Sequence, residues 1–465
     1  MKLAVRTSAL ALAMAAGWAM PVHAQSVDAA ALQRELAAMR EQMERMASRI
    51  DTLESQLVSA NAKADAAAAA ASDAGIKASA ANALAKDTGA RVKWKGAPEI
   101  TGEHGWSFKP RGRMQFDVAG VDAPGGLSAG NEHLGTSTEF RRAQIGFDGT
   151  MPGGFGYRVE ANLANSEVEL TDLYLTYNAS KSLTLTVGQH KPFWGLEEMT
   201  SDLFTSMMER AAFSQAFGFE RRVGASAAWS SGSFLVQGGV FSDDASALNA
   251  DSNKSWSLDG RVVAMPKVAG GMLHVGGSIH LRDLGGSVNT ARYRARPFVH
   301  TTDVRLVDTG SFGASGERAY GAELAWVKGR FHATGESYWM TSMRPGQANP
   351  TFNGGYGELG LFLTDDSTAY KNGTYDRTKP KRPVSAGGIG AVQVNVRYDW
   401  LDLNDAGIIG GRQQIAGISV IWTPMDYVRF MANYGHIRVR DARVTASGDG
   451  SYNAHAAGMR AQLDF

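Results

Sequence analysis

WSFKPRGRMQFDV, residues 106–118, carries two opposite patterns at alternate positions. Trp106, Phe108, Met114, Phe116 and Val118 share one face with Pro110 and Gly112; Lys109, Arg111, Arg113, Gln115 and Asp117 share the other. A period of two marks a strand between two different environments. A soluble sheet also has an apolar and a wet side, so this stretch alone leaves two readings. If its apolar face meets lipid and its charged face meets water inside a barrel, many such strands must follow to the end of the chain.

They follow. Segments with one apolar face lie at about 138–149, 155–165, 167–179 and 182–190, and, after an interruption of some thirty residues, at 222–231, 232–242, 255–265 and 271–283. More occur near 318–327, 329–340, 353–363, 389–400, 413–423, 426–440 and 455–465. Counted from Trp106 that is about 16 antiparallel strands, an even number as a closed outer-membrane barrel needs. The fold expected is an all-β transmembrane barrel over 105–465, preceded by an α-helical coiled coil. Residues 364–388 are too long for the short turn that belongs at their place, which leaves the count open by two. Trp and Tyr at strand ends (Trp106, Tyr177, Trp229, Trp256, Trp326, Trp339, Trp400, Trp422, Tyr427) suit the two interfacial girdles, and the chain stops on Phe465.

Ahead of the barrel, Lys2 and Arg6, the apolar run Ser8 to Met20 and the small-x-small site Val22-His23-Ala24 read as an export signal over 1–24. An anchor helix is the competing reading, and the run is shorter than the ~20 residues that span a bilayer. From 25 to 93, Leu32, Leu36, Met39, Met43, Met46, Ile50, Leu53 and Leu57 recur at alternating gaps of four and three, and alanines continue the register to Ala85. That is a heptad seam with Leu36, Met43, Ile50 and Leu57 at position a, on a helix that would be on the order of 90 Å long. It implies self-association without fixing a dimer or a trimer. Pro98 and the glycines of 96–105 break the helical period, so a linker is expected over 94–104.

Composition closes several doors. With no cysteine among 465 residues, thiolate metal sites, thiol catalysis and disulfides are excluded, and a net charge of +1 gives no bulk attraction to nucleic acid. No Gly-x-Ser-x-Gly and no HExxH occurs, so neither catalysis nor a cofactor is expected. His274 and His280 read as plain lumen residues, and Asp402 and Asp405 as loop structure rather than metal ligands.

The interruption, Lys191 to Arg221, follows the fifth strand and is rich in Phe, Trp, Leu and Met. A loop this apolar does not stand in water, so it is expected to fold into the lumen and narrow it. Wall arginines Arg142, Arg158, Arg222, Arg261, Arg282 and Arg397 share the inward parity of Lys109, Arg111 and Arg113. A guanidinium on the lipid face at mid-membrane would cost about 2–4 kcal/mol. Arginine forks suit oxyanions, and a ladder of weak sites lets an ion bind and move on. Residues 191–222 nevertheless hold four basic and five acidic side chains, so the narrowing is expected to be mixed in charge. Lys191 and Arg210 either brace the loop against Glu198 and Glu209 or touch the solute.

GQHKPFWGLEEMTSDLFTSMMERA at 188–211, the Arg141-Arg142 strand, RPFVHTTDVRLVDTG at 296–310 and RYDWLDLNDAGIIGGRQQIAGISVIWTPMDYVRFMANY at 397–434 resemble the phosphate-selective porin O/P family. The resemblance runs from about 105 to 465 and leaves the coiled coil outside. It implies a trimer of 16-stranded barrels passing phosphate or polyphosphate along lumen arginines and lysines. It also gives Arg141 a pore role although the residue has the lipid-facing parity of its strand. The expected protein is a passive anion porin of a Gram-negative outer membrane, with Lys109, Arg111, Arg113, Arg141, Arg142, Lys191, Arg210 and Arg222 along the anion path and the coil in the periplasm. Alternatives are a general or organic-anion porin, and a barrel-anchored tether whose stalk is the coil.

Overall fold

The computed structural model describes residues 29–87, 90–130, 134–164, 167–248, 255–285 and 290–465. The expected export signal over 1–24 and the first residues of the expected coil lie outside them. The chain divides into a unit ending at Leu84 and a unit from Ala85 to Phe465. The first holds helix α1, Ala29–Asp87, 59 residues long. In a single chain Met43, Met46, Ile50, Leu53 and Leu57 stand exposed along it, an apolar seam without cover.

The second unit is a closed barrel. Where the end of the coil (to 93) and a linker (94–104) were expected, the helix stops at Asp87 and the chain pairs β1 (Arg91–Lys95) with β2 (Ala97–Thr101) as a hairpin, because Val92 and Trp94 alternate with Arg91, Lys93 and Lys95. Sixteen wall strands follow: β3 Ser107–Asp122, β4 Gly135–Met151, β5 Phe155–Asn162, β6 Glu169–Asn178, β7 Leu183–His190, β8 Arg222–Ser231, β9 Phe234–Phe241, β10 Trp256–Ala264, β11 Gly271–Asp283, β12 Gly316–Lys328, β13 Phe331–Met343, β14 Thr351–Phe362, β15 Ala391–Asp405, β16 Ile408–Met425, β17 Val428–Arg440 and β18 Tyr452–Asp464. Each pairs antiparallel with the next, and β18 returns to β3 from His455↔Asp122 to Asp464↔Arg113. Closure leaves no open sheet edge in the hydrocarbon, where unpaired backbone groups find no water. The last residue completes the seam: Phe465 donates its N–H to the Gly112 carbonyl at 2.9 Å, and its ring covers the place where a side-chain carbon on Gly112 would be 2.2 Å away.

The two faces of the wall follow the sequence parity. Outward, Leu324 is 56% exposed and lies between Tyr320 and Trp326 on β12. Inward, Glu323 of β12 meets Arg261 of β10 at 2.7 Å and His274 of β11 at 3.0 Å, all three buried. Trp106, Tyr177, Trp229, Trp256, Trp339 and Trp422 are exposed on the outside, as a girdle requires.

One register shift changes a side chain's environment. Gln115 faces Arg142 and Phe116 faces Phe140, so Arg141 is the extra residue of a β-bulge between β3 and β4. The bulge reverses parity there. Arg141, expected on the lipid side, therefore points inward beside Arg142.

The lumen is narrowed from both ends. The 191–221 loop enters from the long-loop end, joined by residues 290–315, where Phe298, Val299, Leu306 and Tyr293 are buried. The Arg296 N–H donates to Gln215 Oε1 at 3.1 Å and ties the two loops together. From the other end, residues 363–390 turn inward and form only a short hairpin of their own, Tyr370–Lys371 with Thr374–Tyr375, so the wall keeps sixteen strands. Arg261 donates to the Gly373 carbonyl at 2.9 Å, and the Tyr375 N–H reaches Thr200 Oγ1 at 3.2 Å. Leu324→Arg is expected to cost about 2–4 kcal/mol when unfolding is followed in lipid vesicles.

Candidate functional site

The 191–221 loop sits in the lumen on two kinds of contact. Its apolar side packs Trp194 on Phe219, ring centroids 4.1 Å apart, and Phe213 on Tyr338 at 5.0 Å. Four of its carboxylates take wall or loop cations. Asp202 meets Arg113 at 2.5 Å and also Arg142. Glu209 accepts both forks of Arg141 at 3.0 and 3.1 Å and Arg460 at 2.8 Å. Glu197 pairs with Arg397 at 2.6 Å, while Glu198 holds Lys191 at 2.7 Å and Arg210 at 3.2 Å. Burial alone would raise the Asp202 carboxyl; Arg142 and Arg113 outweigh it and hold it well below the usual carboxylate range. Glu209 is held low in the same way, burial being overcome by Arg141 and Arg460. Both stay ionised through the physiological range.

The wall also grips loop backbone. Arg429 donates to the carbonyls of Leu203 and Thr205 at 2.8 and 2.6 Å, and Arg460 to that of Met208 at 2.6 Å. In return Glu336 and Asp399 accept the N–H groups of Glu197 and Ala212 at 2.7 and 2.8 Å. Charged groups out of water are stable only when paired in this way.

The eight expected path residues therefore divide. Arg113, Arg141 and Arg142 meet at the loop carboxylates, and Lys191 and Arg210 brace the loop through Glu198, one of the two roles open to them. Arg111 pairs with Asp148 at 3.3 Å, lower on the wall. Lys109 lies opposite Asp148 in the ladder and has no ion pair among the described residues. Arg222 stands apart, buried, with its Nη1 lacking a hydrogen-bond acceptor. Arg460, bound to Asp117 by two bonds of 2.7 Å, was missing from the expected set. Its signal was present: Ala457, Met459 and Ala461 face lipid, which turns Arg460 inward. Arg377 carried no such signal, because it belongs to the inward turn rather than to a strand; it pairs with Asp464 and covers the Tyr427 ring at 4.7 Å.

Two spaces adjoin the loop. On the long-loop side, a cavity of about 760 Å³ is lined by Arg141, Arg142, Arg210, Arg221 and Arg296, interleaved with Glu198, Asp202, Glu209 and Glu220. On the turn side, a space of about 40 Å³ lies among Arg377, Arg429, His332, Tyr375 and Asp464. Residues 202–208 border both, so this stretch of the loop is the partition between them. Guanidinium forks on either side can take oxyanions, and the interleaved carboxylates weaken the hold on each. Glu209→Gln removes the negative charge shared by Arg141 and the buried Arg460. The loop is expected to lose about 3–5 kcal/mol of anchoring, visible as a larger and noisier single-channel current.

Residues 108–465 match the family described as phosphate-selective porin O and P. Porin O of Pseudomonas aeruginosa is 26% identical over 396 residues, covering 76% of this chain and 88% of that protein. An uncharacterized protein of Caulobacter vibrioides is 41% identical over 480 residues, 99% of this chain and 96% of that one. Among solved structures, in-vitro folded OmpT, an outer membrane protein of Vibrio cholerae, is similar in fold, with a TM-score of 0.51 at 11% identity over 80% of this chain and 99% of that one. With a sixteen-stranded wall, a lumen narrowed by folded segments and a family match across the whole barrel, the chain belongs to the phosphate-selective porin O and P family and is a channel of the outer membrane rather than an enzyme.

Proposed function

We propose that the protein is a passive, anion-preferring porin that admits inorganic phosphate or comparable small oxyanions, working as a homotrimer with its coiled coil in the periplasm. The observation that carries this reading is the grouping of Arg113, Arg141, Arg142 and Arg460 around Asp202 and Glu209. Each of these carboxylates is an oxyanion held between two arginines. Pairs spaced to hold a carboxylate also suit a phosphate oxygen edge, and a permeating anion that exchanges with the loop carboxylates would meet a series of shallow wells. Lys109 and Arg111 would extend the series toward the turn side.

A general anion porin without phosphate affinity is the second reading, and it has its own support: the larger cavity is lined by seven carboxylates, Glu167, Glu169 and Asp244 beside the four of the loop, against five arginines. Single-channel recording in a planar bilayer separates the two. A chloride gradient should give an anion-biased reversal potential, and added phosphate should reduce chloride current. Bias without block favours the general porin, and absence of conductance would overturn both.

Lys109 gives the cleanest charge test because it braces nothing. Lys109→Glu is expected to lower the anion bias and leave folding intact, whereas Arg113→Glu should also release the loop by repelling Asp202 and Glu160. For the oligomer, the exposed seam of α1 supports self-association. Ile50→Asp with Leu57→Asp should lower the temperature at which the oligomer dissociates on unheated gels, with barrel conductance retained.

A further inference from the structure

Trp94 is 75% exposed and Val92 43% exposed, on a hairpin too short to hide either residue in a core of its own. In water such a face is an unfavourable patch. The register shows where it points. Val92 pairs with Ile100, and Ile100 pairs with Phe108 of β3, so these three lie side by side on one face. Phe108 is on the lipid side of the wall, and the row runs on through Phe147 at 5.6 Å and Tyr157 at 6.1 Å between ring centroids. That row is the turn-side edge of the lipid-facing band. Trp94, opposite Pro98, extends it by one step.

The hairpin is fixed in this attitude. Its root is bonded to β3 at Thr101↔Ser107. Its tip, Gly96 with φ +80°, is pressed to the Tyr427 ring, where a side-chain carbon would come within 2.6 Å. The opposite face carries Arg91, Lys93 and Lys95, of which only Lys95 has an ion pair among the described residues, with Glu99 at 2.6 Å. An apolar face beside the aromatic band and a basic face turned to water are the two requirements of an interfacial element.

We propose that the Arg91–Thr101 hairpin is a membrane anchor, with Val92, Trp94, Pro98 and Ile100 seated at the boundary of headgroups and acyl chains of the periplasmic phospholipid leaflet. Continuity with the lipid-facing band selects phospholipid over a second copy of the chain as the occupant. The hairpin thus holds the barrel's depth at the strand where the sheet closes.

The test uses the full chain in phosphatidylcholine vesicles carrying bromine at shallow or deep acyl positions, comparing the fluorescence of the wild type with that of Trp94→Phe. The difference between the two is the Trp94 emission. It is expected to be blue-shifted and quenched most by the shallow bromines. Quenching of the remaining tryptophans reports barrel insertion independently, so a failure of the hairpin is distinguished from a failure of the barrel. Emission at the wavelength of water-exposed indole, quenched by iodide and untouched by bromine, would overturn the anchor. So would emission shielded from both, the outcome of contact with a second copy.

Discussion

Closure of the sheet between β18 and β3 is the constraint on which the rest depends. In hydrocarbon an unpaired N–H or C=O costs several kcal/mol, and a sheet with a free edge would expose a row of them. The chain meets this requirement at its end, where Phe465 exchanges backbone bonds with Gly112 and lays its ring on the glycine. The hairpin takes up the stretch of β3 that β18 does not reach, at Ser107 and Phe108. Once the ring is closed, outward side chains must be apolar and inward ones are free to be charged.

The freedom inside is used for anchoring as much as for transport. Arg113, Arg141, Arg142, Arg397 and Arg460 would be costly cations in a narrow lumen if left alone, and the loop supplies the carboxylates that balance them. The same pairs hold the loop across the bore. Position and charge are therefore linked: a change that frees an arginine for a passing anion also loosens the loop that sets the bore. Lys109 lies outside this linkage, on the wall toward the short-turn end.

The inward turn at 363–390 adds a second partition. It reaches the loop through Tyr375 and Thr200, and the wall through Gly373 and Arg377. Entry from both ends leaves a large space on one side of residues 202–208 and a small one on the other, so any path through the barrel is decided by side chains from three separate segments.

Much of this was legible in the sequence. Alternation fixed which residues face lipid, because a side chain on a strand has only two directions and the lipid accepts one kind. It placed sixteen strands, the long apolar loop and the inward arginines, and the same alternation contained Arg460. Arg141 escaped it because a single extra residue in one strand reverses parity, and a bulge is set by pairing with the neighbouring strand rather than by local pattern. The hairpin at 91–101 was hidden behind Pro98 and Gly96, which signal a break whether or not the flanking residues pair. The turn at 363–390 showed only as a length without a place, since its partners Arg261, Thr200 and Asp464 are far away in the chain. Sequence determined sidedness, a property of each strand alone; the tertiary structure decided which charges meet, because ion pairs across a lumen depend on distances that only ring closure creates.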